Sequence, residues 1–209
     1  MSVTLFDYHR SSASYRVRIA LRMKGIAHET VAVDLREGAQ REDAYRAKNP
    51  QGLVPMLEID GTRIAQSLAI IAYLEATRPE PPLLPADPAD QAQVRAMALV
   101  VACDIHPLNN LRVLEYLKGP LGADDEARAA WYAHWVRSGF DALEQMARPH
   151  AGRFLFGDAP TLADICLVPQ LYNARRFEVP IGDYELLLRA EAEANGLAAF
   201  AGAHPDKAR

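Results

Sequence analysis

The chain has 209 residues, half of them hydrophobic, and a formal net charge of −4, which is ample for one large domain or two small ones. That balance lacks the dense cationic face that DNA or RNA binding requires, so neither is expected as a partner. No run approaches the roughly 20 apolar residues that span a bilayer, and MSVTLFDYHR lacks the basic-then-apolar order of a secretory leader, so the expected compartment is the cytoplasm. Cys103 and Cys166 are too few for a disulfide framework or a four-ligand zinc site; both read as small buried hydrophobes, and no metal is expected.

The first eighty residues change period repeatedly. VTLFDY reads as a short strand through its β-branched and aromatic content. A helix follows, with Val17, Ile19, Ala20, Leu21 and Met23 on its apolar side, Ser14 as a cap or first-turn residue, and Gly25 as its stop. HETVAVDL predicts a second strand, and the polar REGAQRED leads into a short helix ending near Asn49-Pro50. VPMLEID and TRIA predict two strands joined by a hairpin at Asp60-Gly61, and another helix starts at Ser67. This order implies one mixed sheet covered by helices, because the first two strands need a crossover connection. Residues 78–90, RPEPPLLPADPAD, carry five prolines and read as an interdomain linker. Beyond it the helical period predicts helices over Gln91 to Lys118, Asp124 to Arg148, Leu162 to Arg176 and Tyr184 to Asn195, an all-α bundle whose AHPDKAR tail is expected to fray.

Three elements carry candidate chemistry. RSSASYR, Arg10 to Arg16, lies where a strand-to-helix connection aims its backbone N–H groups and the positive helix end at solvent. Such a place favours an anion, and a thiolate held there has its pKa lowered from the roughly 8.5 of a free thiol. The chain offers no cysteine of its own there, and the serines equally suit plain helix capping. Val54-Pro55 stands at the start of a strand, where a cis bond is compatible with the position but not required by it. Gln66-Ser67 presents a hydroxyl and N-terminal amides suited to a carboxylate, or to an ordinary cap. Thr161 and Asp164 in TLAD form a capping-box signature and are assigned to stability.

SSASYRVRIALRMKGI, NPQGLVPMLEIDG, QSLAIIAYLE and GDAPTLADICLVPQ closely resemble the zeta class of glutathione transferases, a class that includes maleylacetoacetate isomerases; the resemblance runs from about Thr4 to Phe177. It implies a thioredoxin-like α/β domain over residues 1–80 that binds glutathione and an all-α substrate domain over 81–209. It also implies that Ser11 hydrogen-bonds the glutathione thiolate and that Ser12, Ser14 and Arg16 help form that pocket. Val54 then pairs its backbone with the tripeptide, Gln66 and Ser67 hold the γ-glutamyl end, and Gln40 touches the glycine carboxylate. One departure stands out: the class signature Ser-Ser-Cys reads Ser11-Ser12-Ala13 here, so no role of that cysteine operates in this chain.

In DIHPLNNLRVLEYL, residues 104–117, His106, Asn109 and Asn110 interrupt an apolar helix just before Arg112. They read either as a structural polar network or, by the resemblance, as a segment over the active site in which His106 and Asn110 contact glutathione or substrate, from the same or the partner subunit. Arg10, Arg112 and Arg176 then grip a small dicarboxylate, or are solvated surface charges; Arg175 competes with Arg176 for the role. With Ser11, Arg10 and Arg176 as catalytic residues, the implied reaction is glutathione-dependent cis–trans isomerisation of maleylacetoacetate to fumarylacetoacetate in aromatic amino acid catabolism. Maleylpyruvate as substrate, transfer chemistry on α-halo acids, and a non-catalytic binding protein are the alternatives. A homodimer is expected, joined through Gln91 to Lys118 and Asp124 to Arg148.

Overall fold

The computed structural model describes residues 3–208. Its strands are β1 (Thr4–Asp7), β2 (Glu29–Ala32), β3 (Met56–Ile59) and β4 (Thr62–Ala65), which form one mixed sheet in the order β2-β1-β3-β4. β1 pairs parallel with β2 and antiparallel with β3, and β3 pairs antiparallel with β4. The β3–β4 connection is the Asp60-Gly61 turn, with φ of 51° and 76°, as a tight hairpin of this dipeptide requires. Between the strands run α1 (Ser12–Met23) and α2 (Asp43–Arg46), and α3 (Ser67–Thr77) follows β4. Alternation divides the core: Phe6 and Met56 pack with Tyr45 of α2 and Val33, while Leu5 and Leu57 point to the opposite face and are fully buried. Tyr15, Val17, Ile19 and Leu21 of α1 and Ile70, Ile71 and Leu74 of α3 are all buried as well.

The second unit, Leu83–Gly196, is helical. It contains α4 (Pro88–Leu99), α5 (Leu111–Lys118), α6 (Asp125–Ala147), α7 (Leu162–Arg176) and α8 (Glu185–Asn195). α7 is its centre, packed on α4 and α8, and carries the buried Ile165, Leu167 and Leu171. The single helix expected over Gln91 to Lys118 is broken. Residues Val100–Ile105 widen into a π-helical stretch, with His106 N–H donating to the Val101 carbonyl at 2.9 Å, and a turn over 106–110 separates it from α5. Pro107 has no N–H to continue the ladder, which accounts for the stop. Gly139 of α6 allows the close approach of this stretch, since a Cβ there would stand 2.3 Å from Ile105 Cγ1. Cys166 is buried as expected, whereas Cys103, on the π-helical stretch, is exposed. Only one side of that irregular turn is packed, so small apolar character does not decide burial there.

The C-terminal end also departs from expectation. A further helix, α9 (Ala198–Ala203), and a 3-10 turn over Pro205–Lys207 follow α8, and α9 packs on α1. The first compact unit is therefore Met1–Pro82 together with Leu197–Arg209, where the sequence suggested a boundary near residue 80 with all that follows in the helical domain. The AHPDKAR segment is not frayed over its described residues, because Ala203 and Pro205 are buried.

Candidate functional site

The strand register brings the sequence-predicted residues of the first unit to one end of the sheet. Phe6 pairs with Met56 and Met56 with Ala65. The loop leaving β1, the Val54-Pro55 entry to β3 and the Gln66-Ser67 exit from β4 are thus neighbours. The Val54-Pro55 bond is cis. The Leu53 carbonyl just before it accepts from Tyr45 Oη and from Asn49 Nδ2, each at 2.7 Å, which fixes the loop that presents Val54. Gly52, at φ 61°, sits so close to Gln40 that a Cβ would lie 2.9 Å from the Gln40 carbonyl.

Ser11 is the N-cap of α1. Its Oγ accepts from Ser14 N–H at 3.2 Å, so the hydroxyl proton remains available to point outward from a half-exposed position. Ser12, Ser14 and Arg16, on the first two turns of α1, are buried. Arg16 Nη1 donates to Ser67 Oγ at 3.4 Å, joining α1 to the start of α3. Gln66 caps α3 at φ 73°, an uncommon conformation for a residue with a Cβ and one that persists only where its surroundings impose it. Its Nε2 donates to Gln51 Oε1 at 2.6 Å, a partner within the NPQGLVP motif that was not among the candidate site residues. Gln40 is buried, with Nε2 near the Leu35 carbonyl at 3.5 Å, and its Oε1 has no partner among the described residues. Arg10 is exposed in the β1–α1 loop.

In the helical unit, the polar turn is partly structural. Asn110 caps α5, accepting from Arg112 N–H at 3.2 Å, and the buried Asn109 donates to the Tyr132 carbonyl at 3.3 Å. Trp131 Nε1 donates to the Leu108 carbonyl at 2.9 Å, and His106 is half-buried. Arg112 is exposed. The paired arginines differ in their contacts: Arg175 makes two 2.5 Å bonds to the Glu191 carboxylate, which raises its pKa, whereas Arg176 donates to Asn173 Oδ1 at 3.1 Å and lies over the Tyr172 and Phe177 rings. Phe177 in turn stacks on Tyr132 at 3.9 Å, and burial pushes the Tyr132 phenol well above its ordinary pKa. The Thr161–Asp164 capping box is present in full. Asp164 accepts from Leu155 N–H (3.0 Å), Thr161 N–H (2.8 Å) and Thr161 Oγ1 (3.1 Å), and burial raises its pKa to about 6.

Residues 5–82 match the model of the glutathione S-transferase N-terminal domain, and residues 125–202 that of the C-terminal domain. A maleylacetoacetate isomerase of Rhizobium meliloti (strain 1021) is 50% identical over 206 residues, which cover 98% of this chain and 97% of the relative. A holo maleyl pyruvate isomerase, described as a bacterial glutathione S-transferase of the zeta class, has a TM-score of 0.96 and 47% identity over 98% of this chain and 97% of that one. The chain belongs to the zeta class of glutathione transferases. A second solved structure, the maleylacetoacetate isomerase of Methylobacterium extorquens AM1 with bound malonate and GSH, has a TM-score of 0.94 and 40% identity over 98% and 97% of the two chains. Within the glutathione transferase fold, the expected mixed sheet and helical domain are both present. Among the described residues no helix is long and apolar enough to cross a membrane.

Proposed function

We propose that this zeta-class chain is a glutathione-dependent cis–trans isomerase that converts maleylacetoacetate to fumarylacetoacetate. The observation that carries the reading is Ser11: its cap oxygen is occupied by Ser14 N–H while its own proton is available to an anion at the positive end of α1. The residues around it suit a tripeptide with two carboxylates and a thiol: Ser11 beside the sulfur, the Val54 backbone along the peptide, Gln66 and Ser67 at the γ-glutamyl end, and Gln40 toward the glycine end. Bound glutathione supplies a thiolate that adds to one carbon of the cis double bond and is expelled again after rotation, so that it is not consumed.

The remaining work belongs to the chain. Ser11 and the first turn of α1 keep the thiol ionised near neutral pH. Arg16 holds the Ser67 hydroxyl at the first residue of α3. Arg10, Arg112 and Arg176 bind the substrate carboxylates and offset the negative charge that develops as the double bond opens, with His106 and Asn110 contributing polar contacts. Arg176 is assigned in preference to Arg175 because Glu191 already engages both terminal nitrogens of Arg175. Malonate, a small dicarboxylate, in the Methylobacterium relative supports this substrate class. Maleylpyruvate is the second reading, favoured by the near-superposable maleyl pyruvate isomerase.

The test follows loss of absorbance of maleylacetoacetate and maleylpyruvate, with and without glutathione, in wild type and Ser11→Ala. Glutathione-dependent turnover that collapses in the variant supports the reading, and the better substrate names the reaction. No turnover of either moves the assignment to transfer chemistry on α-halo acids or to a binding protein. A cytoplasmic homodimer joined through α4, α5 and α6 is part of the same proposal; light scattering that gives a monomer at working concentration would remove the dimer.

A further inference from the structure

The loop that delivers Ser11 is held by a residue outside the assigned ligand set. Ser11 N–H donates to the Tyr8 carbonyl at 2.8 Å, which closes a turn over residues 8–11. Arg18, only 4% exposed, reaches that turn from the second turn of α1. Its guanidinium engages three separate segments. Nη1 donates to both oxygens of Asp7, the last residue of β1, at 2.8 Å each; Nη2 donates to the His9 carbonyl inside the turn at 3.0 Å; and Nε donates to the Ala203 carbonyl, at the end of α9, at 3.0 Å. The same group lies 5.2 Å from the Tyr15 ring centroid, and Tyr15 meets His204 edge-on at 6.1 Å.

We propose that Arg18 is a positioning residue for Ser11, and that the C-terminal segment through α9 is part of the scaffold of the glutathione site. This inference rests on the assignment of Ser11 to the glutathione thiolate. The physical basis is the cost of a buried guanidinium whose donors lack partners. Asp7 neutralises its charge, but Nε and Nη2 need acceptors of their own, and the structure gives one to the C-terminal segment and one to the turn. A state in which α9 has moved away takes the Ala203 carbonyl from Nε and frees the guanidinium to turn, so the order of the C-terminal segment favours the order of the turn. A lysine keeps the charge but cannot bond in three fixed planar directions at once.

The test uses the full chain and reads the ultraviolet absorbance of the thiolate of bound glutathione as a function of pH, with kcat and KM for glutathione alongside. In Arg18→Lys, the midpoint of the bound thiol moves toward that of free glutathione and kcat falls on the order of tenfold, with a smaller change in KM. Phe200→Ala, which removes a fully buried anchor of α9, moves the titration in the same direction and carries the test if Arg18→Lys does not fold. Lys24→Met is the control for general loss of stability, because Lys24 bonds Glu75 and the Pro79 and Pro81 carbonyls, away from the turn. It lowers the melting temperature and leaves the thiol titration unchanged. A folded Arg18→Lys or Phe200→Ala enzyme that titrates bound glutathione as wild type does overturns the inference. If Ser11→Ala also leaves the titration unchanged, the assignment of Ser11 itself fails, and this inference with it.

Discussion

Replacing Asp164 with asparagine gives a stability cost that depends on pH with a defined sign. The Asp164 carboxyl is fully buried and accepts three hydrogen bonds at the start of α7, yet burial outweighs them and raises its pKa from 3.8 to about 6. Between those values the unfolded chain has lost this proton while the folded chain retains it. The stabilisation is therefore fully present below the unfolded pKa and is lost as pH rises through about 6. A shift of about two units corresponds to roughly 3 kcal/mol in total, of which about 2 kcal/mol falls between about pH 4.5 and about pH 7.5. Asparagine does not titrate. Urea unfolding of wild type and Asp164→Asn at those two pH values should show the substitution costing about 2 kcal/mol more at the lower pH, since the titrations common to both chains cancel. An equal cost at both values, or a larger one at the higher pH, would refute the reasoning, because it would mean that the three donors hold the carboxylate ionised despite its burial.

Thr161→Ala removes the other half of the box and should cost about 1 kcal/mol in urea unfolding while leaving kcat unchanged; a large loss of turnover in the folded variant would mean that α7 positions more than itself. Gly139→Ala places a methyl against the buried Ile105 and should destabilise by about 1–3 kcal/mol, where an exposed helical glycine would gain from the same change. Arg175→Met leaves the Glu191 carboxylate without its fork and should cost about 1–2 kcal/mol with little effect on substrate KM. Arg176→Met should do the reverse, raising KM for the diacid several-fold with little change in melting temperature.

Much of the fold was legible because the deciding physics is local. Asp60-Gly61 both take positive φ, and that dipeptide between apolar runs leaves few other conformations. Thr161 and Asp164 cap α7 through bonds that span three residues, and the helix boundaries Leu162 and Arg176 fall where the period predicted them. The break at Pro107 was also written in the chain, and it was obscured by the apolar period that runs across it. In the site, the serine cluster and Gln66-Ser67 could be read because helix N-termini announce themselves by residue type. Gln51, which bonds Gln66 from fifteen residues away, carries no such signal.

By itself the sequence determined the four strands and most of the helices, which two helix starts carry the hydroxyl and amide side chains of the candidate site, and which class of transferase the motifs resemble. Each of these depends on φ, ψ and periodicity over a few residues. The tertiary structure alone decided that Ser12, Ser14 and Arg16 are buried, that Arg175 is held by Glu191 while Arg176 is not, and that Cys103 is exposed. It also decided that the last helix returns to α1, where the Ala203 carbonyl meets an arginine 185 positions earlier. The meaning of a charged or polar side chain is set by its partners, and partners that far apart in the chain are chosen by packing, which no local pattern records.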